Sequence, residues 1–74
     1  MRSTMNVARH TASVGSYLIG ADALRILASI AGISAIQVDR QYLDGASLSY
    51  ETADRRQDFA RIDQMLAAKG MRRV

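Results

Sequence analysis

The stretch that decides the fold is residues 31–50, AGISAIQVDRQYLDGASLSY, which reads as a helix end, two strands and a tight hairpin. Ile36, Val38 and Tyr42, then Ala46, Leu48 and Tyr50, alternate with Gln37, Asp39, Gln41, Ser47, Ser49 and Glu51. That period of two belongs to half-buried strands. Asp44-Gly45 marks the turn. A two-residue turn at that pair would set Val38 opposite Glu51 and mix apolar with polar residues on one face. A three-residue loop, Leu43-Asp44-Gly45, with Gly45 left-handed at a bulge, instead pairs Tyr42 with Ala46, Arg40 with Leu48 and Val38 with Tyr50. In that register both tyrosines turn inward, and the outer face shows Gln37, Asp39, Gln41, Ser47, Ser49 and Glu51. Arg40 is the exception on the inner face, where its long stem is expected to snorkel past the sheet edge.

Working outward, Ala23, Ile26, Leu27 and Ile30 recur at three- and four-residue intervals from Asp22 and predict a helix. Gly32 ends it as a left-handed cap, with Ile33 folding back onto the last turn. Downstream, Asp54 and Gln57 are spaced like a capping box ahead of the apolar stripe Phe59, Ile62, Met65 and Leu66, and Lys69-Gly70 closes this second helix. Met71–Val74 then predicts a short strand with one buried face. Upstream, a strand from about Asn6 to Val14 completes the order βαββαβ, leaving residues 1–4 disordered. The expected fold is α+β, a ferredoxin-like βαββαβ sandwich: one domain with an antiparallel four-stranded sheet and two helices on one face.

Size and composition bound the rest. A chain of 74 residues lies near the lower limit for folding without disulfides or metals, and 49% apolar with 23% charged residues is ordinary for a globular domain. The absence of Cys excludes a disulfide framework and a thiolate metal site. Ile26–Val38, the longest central stretch without a charge, is too short to span a membrane, and Arg9 and His10 interrupt the N-terminal region before any secretory signal could form. A cytoplasmic protein without membrane attachment is expected. The net charge of +3 is mild and spread along the chain.

Several residues carry a family likeness. Ala31-Gly32-Ile33 stands where the heavy-metal-associated domain of copper chaperones and metal-transporting ATPases has its Pro-Gly-Val helix end. Ile36-Gln37-Val38 and Leu48-Ser49-Tyr50 match its second and third strands, Gly45 its hairpin, and Ala68-Lys69-Gly70-Met71 the end of its second helix. From Ser13 onward the chain resembles that family, which implies the ferredoxin-like fold. The resemblance also places the family's two metal-binding cysteines on Ser16 and Ile19. Neither supplies a thiolate, and soft metals need thiolate, thioether or imidazole ligands at fixed spacing. Metal carriage is therefore not expected to carry over, and no cofactor is expected.

Catalysis has little to stand on. His10 is the only histidine and has no nucleophile or acid in recognisable spacing, the five glycines form no phosphate loop, and Asp54, Asp58 and Asp63 interleave with Arg55, Arg56 and Arg61 as a solvated helix face. The leading reading is a non-enzymatic protein-binding module: an adaptor, an assembly subunit or a small inhibitor of the kind phages encode, such as an anti-CRISPR protein. It would dock a partner protein through a sheet edge or the polar sheet face. The candidate contacts are Gln37, Asp39, Gln41, Ser47 and Ser49 on the face, with Arg55, Arg56, Arg72 and Arg73 beside it. One alternative is a small basic nucleic-acid-binding protein, although inward tyrosines would leave no aromatic platform for bases. A degenerate metal-binding domain is a second alternative. Homodimer formation through the edge strands is a third mode of partnership.

Overall fold

Alternating and helical periods translate into the element order β1 (Arg2–Arg9), α1 (Ile19–Ala28), β2 (Ile33–Gln41), β3 (Gly45–Thr52), α2 (Phe59–Ala68) and β4 (Met71–Arg73). The structure is a computed structural model that describes residues 1–9, 18–53 and 59–74. Its four strands form one antiparallel sheet in the order β2-β3-β1-β4. The fold is therefore α+β with the β-α-β-β-α-β succession read from the sequence.

Both helices seal the same face of the sheet. Ile19, Ala23, Ile26 and Leu27 of α1 and Ile62 and Leu66 of α2 join Met5, Val7, Ala46, Leu48, Tyr50 and Met71 in one buried cluster. Each fully buried Leu or Ile in such a cluster contributes about 1.5–3 kcal/mol of transfer free energy. Phe59 and Met65 pack partly buried against it, as the stripe on α2 predicts. The proposed capping residues Asp54 and Gln57 lie outside the described residues.

Strand β1 starts earlier than the sequence suggests. It runs from Arg2, so Arg2–Thr4, expected to lie outside the fold, supply its first rungs, with Arg2 opposite Glu51 and Thr4 opposite Ser49. The reason is the partner: β3 extends to Thr52 and offers a complete ladder to the N-terminus, where Thr52 N–H donates to the Met1 carbonyl at 2.9 Å. Residues 10–14 of the expected strand lie outside the described residues.

Helix α1 begins at Ile19, three residues ahead of Asp22, and ends where Ser29 N–H is shared between the Arg25 and Ile26 carbonyls. Gly32 follows at φ +86°, a conformation that costs glycine nothing, and Ile33 N–H donates back to the Ile30 carbonyl at 3.4 Å. Gly70 ends α2 in the same way at φ +73°.

The hairpin register differs from the expected one. Gln41 pairs with Ala46 and Val38 with Leu48, and Tyr42 N–H donates to the Gly45 carbonyl at 2.8 Å, so the turn consists of Leu43-Asp44. Gly45 is not left-handed. It is required because a Cβ there would sit 2.5 Å from the Val7 carbonyl oxygen on the neighbouring strand. Register is recovered by two irregularities in β2, one between Ser34 and Gln37 and one between Val38 and Arg40. In the first, Ala35 takes φ +49°, a costly conformation for a residue with a Cβ.

Candidate functional site

The second irregularity decides which side chains reach the surface. An extra residue at Asp39 shifts the alternation by one, so Arg40 lies opposite the outward Ser47 and Gln41 lies opposite the inward Ala46. The inward Arg40 expected from strict alternation is thereby removed. Gln41, expected on the outer face, instead reaches under the start of α1. Its Oε1 accepts the Gly20 N–H at 3.0 Å, while its Nε2 donates to the Tyr42 carbonyl at 2.9 Å and to the Gly45 carbonyl at 3.3 Å. Gln41 is thus a structural clamp between hairpin and helix.

Tyr42 turns outward with the same shift. It is 47% exposed, with the Arg40 guanidinium 6.0 Å from its ring centroid, whereas Tyr50 is buried in the core as expected. The outer face therefore does carry an aromatic side chain beside a cation.

A hydrogen-bonded line crosses the three strands β1, β3 and β2 on this face. Arg2 Nη2 donates to Ser49 Oγ at 2.7 Å, Ser49 Oγ donates to Asp39 Oδ1 at 3.0 Å, and Gln37 Nε2 donates to the same oxygen at 2.7 Å. Arg2 also donates to the Ala35 carbonyl at 3.0 Å, holding the left-handed bulge, and lies 3.8 Å from Glu51. The hydrogen bonds from Gln37 and then Ser49 hold the Asp39 carboxyl below its usual range, partial dehydration opposes them, and the Arg2 charge adds to the lowering. Gln37 and Asp39 remain exposed, but Ser49 is only 6% exposed beneath Arg2 and Asp39. Ser49 organises the face from beneath, through its bonds to Arg2 and Asp39. Ser47 is half-buried between Arg40 and Asn6.

The two C-terminal arginines part company. Arg72 pairs with Ala8 and stands exposed on the outer face. Arg73 pairs with the inward Val7 and is held from α2: Nε and Nη2 meet the two Asp63 carboxylate oxygens at 2.8 and 3.0 Å, and the guanidinium lies 4.1 Å over the Phe59 ring. That fork lowers the Asp63 pKa and raises that of Arg73. Ile19, the second position matching the family's metal loop, is the first residue of α1 and is buried in the core. Ser16, Arg55, Arg56 and His10 lie outside the described residues. Among the described residues no three His, Cys, Asp or Glu side chains converge as metal ligands, and no helix is long and apolar enough to cross a membrane.

Beside Arg73 a groove of about 560 Å³ opens between α2 and β4, lined by Asp63, Ala67, Met71, Arg72, Arg73 and Val74. Its outer wall is the edge of the sheet, since β4 closes the strand order and no other strand pairs with it among the described residues. Val74 N–H donates to the Asn6 carbonyl at 2.9 Å, and alternation then directs the N–H and C=O groups of Met71 and Arg73 away from β1. A strand edge and a side-chain groove thus run along the same three residues.

No protein-family model, curated protein or solved structure matches the chain. The features that sequence reasoning missed are Arg2, Arg40 and Tyr42 on the outer face and Asp63 and Ala67 in the groove. Of these only Arg40 left a trace in the sequence: a lone arginine on an otherwise apolar strand face signals a bulge.

Proposed function

We propose that this chain is a non-enzymatic protein-binding module of ferredoxin-like architecture that docks its partner through the sheet, as an adaptor, an assembly subunit or a small inhibitor. The strand order, with both helices on one face, supports the ferredoxin-like assignment. The observation that carries the functional reading is the free edge of β4 lying against the groove of α2. An unpaired edge supplies main-chain hydrogen bonds, and a groove beside it supplies selectivity for side chains. The opposite edge, β2, is distorted by two irregularities that spoil its use as a template. A cytoplasmic location fits a cysteine-free chain, and the resemblance to the heavy-metal-associated family fits a carrier scaffold whose metal loop has lost its thiolates.

Nucleic-acid binding is the second reading, favoured by Tyr42 beside Arg40 on the open face. Against it, Arg2 and Arg73 are engaged within the protein by Ser49, Glu51 and Asp63, which weakens a phosphate-binding track. Affinity capture on the tagged chain, with and without nuclease, tests the choice. A stoichiometric protein partner that survives nuclease is expected. Recovery of nucleic acid with no nuclease-resistant protein would overturn the protein-docking reading.

A further inference from the structure

We infer that the free edge of β4 binds an extended acidic segment of a partner protein, added as a fifth strand whose side chains alternate between the α2 groove and Arg72. This rests on the protein-binding reading and names its partner class. The outward N–H and C=O groups of Met71 and Arg73 offer the incoming strand a bonded pair at each of two positions. Neighbouring side chains of that strand fall on opposite sides. Those on the helix side enter the groove over Ala67 and Met71, which suits small apolar residues. Those on the open side meet Arg72, which is exposed and cationic.

Charge also selects against a second copy of this chain. A two-fold pairing of β4 edges that uses both outward residues is centred on Arg72 and sets it directly opposite its own copy, a like-charge contact that destabilises a strand pair. An acidic strand converts the same position into an attractive cross-strand pair. The groove keeps its internal balance, because Arg73 is already satisfied by Asp63 and does not need the partner.

The test uses a display library of random 12-residue peptides selected on the immobilised full chain, followed by NMR titration of the enriched peptides made synthetically. The expected peptides alternate acidic with small apolar residues, shift the amide signals of residues 70–74 and of α2, and lose at least about tenfold in affinity against Arg72→Glu. Ala67→Trp, at an exposed helix position, fills the groove and abolishes binding while leaving the spectrum of the sheet intact. Peptides that shift Gln37, Asp39 and Tyr42 instead would overturn the edge assignment and leave protein binding standing. A library that yields no binder, with a single-stranded oligonucleotide binding in parallel, would overturn both. A solution mass of twice 8.1 kDa, with the outward amides of Met71 and Arg73 protected from exchange in the absence of peptide, would show that the edge is taken by a second copy and would also overturn the inference.

Discussion

Gln41 on β2 and Gly20 on α1 meet in a 3.0 Å hydrogen bond from the Gly20 N–H to Gln41 Oε1, and this contact fixes the hairpin to the start of the helix. Leu18, at the N-cap position, makes no side-chain capping bond. The acceptor that this first turn needs comes from another element. Gly20→Ala is therefore expected to destabilise, although alanine favours an isolated helix by about 0.8–1.0 kcal/mol. The added Cβ would collide with Gln41 Oε1 and lie 2.9 Å from a Val38 methyl, an overpacking that costs about 1–3 kcal/mol. Gln41→Ala is expected to cost about 1 kcal/mol, the value of a lost cap. Urea unfolding measures both, and a Gly20→Ala variant more stable than the parent would contradict the clamp.

The bulge at Ala35 makes a second prediction. Its φ of +49° disfavours every residue with a Cβ and is worst for β-branched ones. Ala35→Val is expected to lose about 1–2 kcal/mol, whereas Ala35→Gly exchanges relief of strain for chain entropy and stays within about 1 kcal/mol of the parent. Chemical denaturation of the two variants checks the order. Equal stability of Val and Gly at this position would show that the bulge is absent in solution.

A third prediction concerns acid. Asp63 titrates below its unfolded value of 3.8 because of the Arg73 hydrogen bonds, with some burial opposing and the Arg73 charge assisting. Its stabilisation is complete above pH 3.8 and is lost as the pH falls through the lower folded value. The pair is more than one-third exposed on both sides, so its worth is no more than about 0.5–1 kcal/mol. Asp63→Asn should remove that amount at pH 7 and converge with the parent in acid. Unfolding midpoints across pH 2–7 check this, and a gap that widens in acid would contradict it.

Arg73 offers a fourth. Its guanidinium joins the Asp63 fork to the Phe59 face, so Arg73→Ala is expected to cost about 1 kcal/mol, more than Asp63→Asn, because the cation–π contact is lost as well. Thermal unfolding of the two single variants and the double variant measures the coupling. Strict additivity would show that Arg73 and Asp63 do not interact.

Much of the fold was legible because burial imposes periodicity. The stripe Ala23, Ile26 and Leu27, the stripe Ile62, Met65 and Leu66, and the alternation of Ala46, Leu48 and Tyr50 all face the core as their spacing requires. The outer surface was less legible, because a single extra residue in β2 reverses every later side chain. Gln41 and Tyr42 changed places for that reason alone. The anomalous Arg40 is the one visible sign: an arginine among inward apolar positions is accommodated either by a snorkelling stem or by a bulge, and β2 takes the bulge. The β4 groove left no local signal, since Asp63, Ala67 and Arg73 are brought together only by the packing of α2 on the sheet.

Amide hydrogen exchange across β4, with and without a saturating selected peptide, tests the docking edge most directly. In the free chain Arg72 and Val74 amides, which face β1, should exchange slowly, while those of Met71 and Arg73 exchange fast. Peptide should bring Met71 and Arg73 into the slow class and leave β2 unchanged. Continued fast exchange at Met71 and Arg73 in the saturated complex would contradict strand addition at this edge.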